Sequence, residues 1–367
     1  MSGITDDIRI REIKALITPN EVMGEFAATE TAVETVTAAR TALHDILYGA
    51  DDRLAVVIGP CSIHDPAAAM DYARRLSAVR RALHDDLEIV MRVYFAKPRT
   101  TVGWKGLISD PDLDGSFRID DGLRLARKLL RDINELGLPV GCEYLDIVAP
   151  QYVSDLVAWG AIGARTTESQ VHRELASGLS CPIGFKNGTD GKVKIAIDAV
   201  KASSQPHHFL AVTKEGRSAI ASTTGNEDCH VILRGGEWPN YDAANVAGVC
   251  GEMRKAGLNA SVMIDASHAN SGYNPDNQPK VVEAIAQQLE NGNRCIMGVM
   301  VESHLVGGRQ ELVPGKPLRY GQSITDGCID WDTSVKVLER LAQAVRLRRT
   351  RTSGHETERR PAQLAAG

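Results

Sequence analysis

The chain has 367 residues, 43% hydrophobic and 24% charged, with a formal net charge of −5 at pH 7. This is the composition of a globular chain with a sizeable core, and it excludes a fibrous or intrinsically disordered protein. The acidic balance gives no support to non-specific nucleic-acid binding, so any cationic site must be a local cluster. The acidic start Met1-Ser-Gly-Ile-Thr-Asp-Asp-Ile lacks the apolar core of a signal peptide, and no apolar run is long enough to span a bilayer. The seven cysteines are odd in number and show no CxxC pair. Together these features predict a cytoplasmic protein with reduced thiols and neither a membrane nor a nucleic-acid partner.

Residues 1–50 mix helical periodicity with Pro19 and read as an arm ahead of the core. Apolar runs then recur at Leu54 to Gly59, Leu87 to Phe95, Leu138 to Leu145, Ala161 to Thr166, Pro182 to Lys186, His230 to Gly235, Ser261 to Asp265 and Cys295 to Val301. Helical patterns separate most of them, at Ala67 to His84, Asp121 to Leu136, Gln151 to Trp159, Gly191 to Ser203, Ala243 to Ala256 and Pro279 to Asn291. Strands alternating with helices in this way predict an α/β fold, a (β/α)8 TIM barrel over 51–345. Residues 207–224, with Lys214-Glu-Gly-Arg217 as the turn, read as an inserted β-hairpin. The basic, Gly- and Ala-containing tail 346–367 is expected to be disordered.

On this strand assignment Cys61, Arg92 with Lys97 and Arg99, Glu143, Arg165, Lys186, Arg234, His268 and Glu302 fall at or just past strand carboxyl ends, where barrels hold their chemistry. A single arginine there reads first as a salt-bridge partner, and Cys61 alone as a buried small hydrophobe. As a set the cations predict an anionic ligand, because unpaired charge at the ends of apolar strands is costly and guanidinium forks suit phosphate and carboxylate. Cys61, His268, Glu302 and Asp326 offer a thiol, an imidazole and two carboxylates. That mixture suits one divalent manganese, iron, cobalt or zinc ion rather than calcium or magnesium, although no local motif joins the four. His172, His207, His208 and His304 read as satisfied or exposed histidines.

Several segments together carry a resemblance: Gly59-Pro-Cys-Ser-Ile-His-Asp65, Lys97-Pro-Arg-Thr-Thr-Val-Gly-Trp-Lys-Gly106, Ala161-Ile-Gly-Ala-Arg-Thr-Thr-Glu-Ser-Gln170, Gly184-Phe-Lys-Asn-Gly-Thr-Asp-Gly191, Leu233-Arg-Gly-Gly, Asp265-Ala-Ser-His-Ala-Asn270 and Val301-Glu-Ser. The chain resembles the class I, aromatic-regulated 3-deoxy-D-arabino-heptulosonate 7-phosphate (DAHP) synthases from about residue 5 to 345. The resemblance implies condensation of phosphoenolpyruvate with erythrose 4-phosphate, the first step of the shikimate pathway. A related synthase using another aldose phosphate is the alternative.

The same resemblance places metal ligands on Cys61, His268, Glu302 and Asp326, phosphoenolpyruvate contacts on Arg92, Lys97, Arg165, Lys186 and Arg234, and erythrose 4-phosphate on Lys97-Pro98-Arg99-Thr100. Lys97 and Glu143 are the implied proton-handling groups. An aromatic amino acid effector, with phenylalanine favoured, maps to Asp6, Asp7, Ile10, Asp146, Gln151, Leu179, Ser180, Phe209 and Ala211. A homodimer or homotetramer is expected. Ala96 and Tyr273 stand where the family usually has an acidic residue and often a lysine.

Overall fold

The computed structural model describes residues 5–97, 103–313 and 315–358. In chain order the strands are β1 Leu54–Gly59, β2 Leu87–Arg92, β3 Val140–Glu143, β4 Trp159–Ile162, β5 Ile183–Lys186, β6 His208–Val212, β7 Ser218–Ser222, β8 Cys229–Leu233, β9 Val262–Asp265, β10 Ile296–Glu302, β11 Val306–Arg309 and β12 Gln322–Ser323. Eight of them close a barrel in the order β1-β10-β9-β8-β5-β4-β3-β2, every pair parallel. β6 and β7 form the expected hairpin as a separate antiparallel pair.

The helices are α1 Pro19–Glu25, α2 Glu30–Tyr48, α3 Pro66–Ala82, α4 Ile119–Asn134, α5 Pro150–Val153, α6 Gln170–Gly178, α7 Lys194–Ser203, α8 Ala243–Lys255, α9 Gln278–Glu290 and α10 Trp331–Glu358. Buried side chains of the outer strand faces and of these helices make one core, while Val57, Val90, Trp159, Ala161, Ile232, Met263 and Met300 belong to a second core inside the barrel. Strands covered on both faces explain the continuous apolar runs.

Four expectations change. α2 is part of the barrel: its Leu43, Ile46 and Leu47 join the interior core, so only the chain ahead of α1 is arm-like. The fourth strand is Trp159–Ile162, two residues earlier than its apolar run suggests, because Thr166 and Thr167 already turn back onto the Gly163 carbonyl. The helix expected up to Trp159 ends at Val153 and is followed by a 3-10 turn, Ser154–Leu156. α10 continues through the tail to Glu358, held where Arg349 reaches Asp52 and Asp86 at 2.6 Å each. Those two carboxylates turn a run of arginines from solvated charge into a docked helix end. Residues 359–367 lie outside the described part, as do Pro98, Arg99 and Thr100.

Candidate active site

Register brings the predicted residues together. Gly59 is level with Glu302, Met300 with Asp265, Arg92 with Gly141, Glu143 with Ala161 and Lys186 with Ile232, so the strand ends share one rim. Gly59 is what lets β1 and β2 meet there: a Cβ would stand 2.7 Å from the Arg92 carbonyl oxygen. One cavity of about 170 Å³ is lined by Arg92, Lys97, Glu143, Arg165, Lys186 and Arg234, with His268, Tyr273 and Asp326 on its wall. The five cations expected to contact phosphoenolpyruvate therefore face a single space.

Each buried cation is oriented differently. The fully buried Arg92 donates to the Pro60 and Cys61 carbonyls at 3.1 and 3.2 Å and to Glu302 Oε1 at 2.9 Å, with its guanidinium 3.6 Å from the Tyr94 ring centre. Lys186 Nζ lies 3.0 Å from Asp265 Oδ2. Arg234 donates through Nη2 to the Tyr273 hydroxyl at 2.9 Å, while its buried Nη1 has no hydrogen-bond partner among the described residues. Arg165 sits exposed in the turn after β4. Glu143 leans over Gly163, whose absent Cβ would stand 2.4 Å from Glu143 Oε1.

Beside the cations, ligand atoms of Cys61, Glu302 and Asp326 all lie within 4.8 Å of one another, and His268 Nε2 is 3.9 Å from Glu302 Oε1. Asp326 follows β12 and is tied to the Cys61 segment: its amide donates to Cys61 Sγ at 3.3 Å, and Thr325 Oγ1 is 2.7 Å from Ser62 Oγ. Burial, then the Glu302 charge, pushes the Cys61 thiol up to about 12. Burial also works against the Asp326 carboxylate, but Lys97 and His268 outweigh it and hold Asp326 below its ordinary range. A thiol and two carboxylates this close fit a shared divalent cation, which would make the thiolate the stable form. The donor set thus fits the expected metal: Cys61, Glu302 and Asp326 form the cluster, and His268 adjoins it at Glu302.

Two contributors were not singled out from the sequence: Tyr94 carries Arg92 on its ring face, and Asp265 meets both Lys186 and His268; Tyr273, noted there as a departure from the family pattern, orients Arg234. The signal available for Asp265 was an acid closing an apolar strand three residues before a predicted ligand. The other predicted histidines are satisfied, His172 by Ser169 Oγ at 2.9 Å, His207 by the Ala202 carbonyl at 2.8 Å and His208 by Ser222 Oγ at 2.8 Å, while His304 Nδ1 accepts from the Leu305 amide at 2.8 Å. Of the effector residues, Phe209 and Ala211 lie on β6, and Lys214 of the hairpin donates to the Gln151 carbonyl. Asp6, Asp7 and Ile10 are exposed, and no hydrogen bond or ion pair among the described residues joins them to the others.

A parallel eight-stranded barrel with a cation-lined mouth beside a thiol, imidazole and carboxylate cluster defines a barrel enzyme that acts on anionic substrates. The chain belongs to the DAHP synthetase I family, whose profile matches residues 25–339, and it is an enzyme of that kind, a 3-deoxy-7-phosphoheptulonate synthase. The Phe-sensitive phospho-2-dehydro-3-deoxyheptonate aldolase of Escherichia coli K12 is 63% identical over 349 residues, covering 95% of this chain and all of that one. The Haemophilus influenzae phospho-2-dehydro-3-deoxyheptonate aldolase is 56% identical over 95% of this chain and 96% of its own. The Trp-sensitive enzyme of Escherichia coli K12 is 51% identical over 93% and 98%. Among solved structures, the phospho-2-dehydro-3-deoxyheptonate aldolase of Francisella tularensis superposes with a TM-score of 0.91 at 52% identity, covering 92% of this chain and 99% of that one. The Thermotoga maritima DAHP synthase, at 18% identity and a TM-score of 0.53 over 80% of this chain and 69% of its own, shares the fold.

Proposed function

We propose that this mouth binds phosphoenolpyruvate through Arg92, Lys97, Arg165, Lys186 and Arg234 and joins its C3 to the aldehyde carbon of erythrose 4-phosphate. The observation that carries the reading is the convergence of those five cations on one cavity, with the buried Arg234 Nη1 left without a hydrogen-bond partner among the described residues. A buried donor of that kind needs an acceptor, and an oxyanion supplies one. In this reading water adds at C2 as the C3 bond forms, and inorganic phosphate leaves with C–O cleavage. Fixed cations around the phosphate stabilise the charge it carries away.

Cys61, His268, Glu302 and Asp326 would hold one manganese, iron, cobalt or zinc ion. When bound, the ion supplies Lewis-acid polarisation of the aldehyde. Lys97, 3.9 Å from Glu302 and partly buried, stays protonated because Cys61 and Glu302 outweigh its desolvation, so it is the group to protonate the forming alkoxide. Glu143, across the cavity, holds the attacking water and takes its proton. The erythrose phosphate falls to Lys97-Pro98-Arg99-Thr100 by the family resemblance.

An aromatic amino acid is the proposed effector, in keeping with relatives named Phe-sensitive and Trp-sensitive. A homo-oligomer is proposed because Ile8, Ile10 and Ile13 of the arm are 64%, 52% and 75% exposed and need a cover. A cytoplasmic location is supported by seven free thiols and by the absence, among the described residues, of a helix long and apolar enough to cross a membrane.

The test is consumption of phosphoenolpyruvate with erythrose 4-phosphate by chelator-stripped protein resupplied with manganese. Turnover that requires metal and disappears in Cys61→Ala is expected. Metal-independent turnover, or full activity in Cys61→Ala, would defeat the assignment.

A further inference from the structure

We infer that Cys295 and Cys250 form an oxidation site, at which a hydroperoxide oxidises Cys295 and Cys250 then closes a disulfide onto it. Cys295 stands just ahead of β10, at the end of the barrel opposite the cation-lined mouth, and follows an exposed turn at Asn291 and Gly292. It is partly exposed, and its Sγ accepts from Arg254 Nη2 at 3.2 Å. Arg254 and Cys250 are one turn apart on α8, so they share a face of that helix. Cys250 is fully buried in the core against which Cys295 packs.

The two thiols are unequal, and the inequality sets the order of events. Reactive cysteines occupy electropositive, partly exposed surroundings, and Cys295 beside the Arg254 guanidinium has both features. Among the described residues the other six cysteines are all buried. Cys250 is the thiol in waiting: burial, then the neighbouring Cys295, pushes it up to about 12, against the opposite pull of Arg254. An oxidant arriving from solvent therefore meets Cys295 first, and the thiol standing next to the oxidised sulfur is Cys250.

In the first step the Cys295 sulfur attacks one oxygen of the hydroperoxide and the O–O bond breaks. For hydrogen peroxide the departing hydroxide takes the Cys295 proton and leaves as water, and Cys295, oxidised by two electrons, becomes a sulfenic acid. Arg254 stabilises the negative charge on the attacking sulfur. In the second step the Cys250 sulfur attacks the Cys295 sulfur, the S–O bond breaks, and hydroxide departs with the Cys250 proton as a second water. The product is a disulfide that joins α8 to the foot of β10.

The experiment treats the folded full-length protein with a small excess of hydrogen peroxide, alkylates the remaining thiols and maps the tryptic peptides by mass. Cleavage at Arg234, Arg254, Arg294 and Arg309 puts the two cysteines on separate peptides, 235–254 and 295–309. The expected result is these two peptides linked, and separated again by dithiothreitol, before any other cysteine changes. In Cys250→Ala the reaction should stop at a Cys295 sulfenic acid that dimedone traps. Arg254→Gln, at an exposed position, should slow the oxidation of Cys295 about tenfold, the loss of one hydrogen bond to a charged group. Peptides that stay unlinked while Cys295 is oxidised would overturn the proposal, as would oxidation of a buried thiol ahead of Cys295 or an undiminished rate in Arg254→Gln. Because the readout is mass, the result stands apart from the catalytic reading.

Discussion

Arg92 keeps its charge inside an apolar barrel because two backbone carbonyls, Glu302 and the face of Tyr94 surround the guanidinium on fixed elements. Arg234 is held more lightly, by one neutral hydroxyl. Tyr273→Phe should therefore raise the phosphoenolpyruvate KM about fivefold, the equivalent of about 1 kcal/mol for one hydrogen bond, with kcat nearly unchanged. Steady-state kinetics check this, and an unmoved KM would show that Arg234 does not depend on Tyr273. Gly163 makes room for Glu143. Gly163→Ala should push that flexible carboxylate aside and lower kcat at least tenfold, matching Glu143→Gln, while the unfolding midpoint stays within a few degrees. A variant with full kcat would remove Glu143 from the water-handling role.

At the scale of elements, α2 is the floor of the barrel. Leu43 is fully buried in the interior core, and the helix is tied to the residue just ahead of β8, where His44 Nδ1 meets Asp228 Oδ1 at 2.7 Å. Leu43→Ala should cost about 2–5 kcal/mol of unfolding free energy, the range for leucine truncation in a packed core. Deleting residues 1–14 removes no buried side chain among those described and should leave that free energy unchanged. The same deletion should change the oligomer size and abolish inhibition by aromatic amino acids. Chemical denaturation, sizing and inhibition assays on the two variants separate floor from arm; a destabilised deletion variant would show that the arm is also part of the fold.

At the scale of the whole molecule, the barrel wall carries an acid-sensitive element. His230 is fully buried in the barrel wall, placed between Trp159 Nε1 at 3.2 Å and the Asp228 carbonyl at 3.1 Å. Burial lowers its pKa from 6.5 to about 4. Between those values the unfolded chain binds a proton that the folded one does not, so this contribution is complete above pH 6.5 and is lost as the pH falls toward 4. From pH 7 to pH 5 the loss is about 2 kcal/mol. Denaturant unfolding at both pH values should show that loss, diminished by the same amount in His230→Gln; an identical slope in the variant would assign the acid sensitivity to other groups.

Much of this was legible in order along the chain. Fully buried parallel strands need continuous apolar runs, so the eight barrel strands and the residues at their ends could be read directly, Cys61, Arg92, Lys186 and Glu302 among them. Segments long enough to be specific added the reaction. What tertiary structure alone decided were contacts between distant parts. Register through β9 and β10 levelled Asp265 with Met300, and the barrel's curvature carried Lys186 within reach of that carboxylate. The end of α10 became ordered structure because Asp52 and Asp86, far away in sequence, face Arg349. Hydrophobic periodicity reports which face of a segment is buried; it holds no information on which buried or charged group stands opposite, and that pairing determines orientation, tautomer and charge.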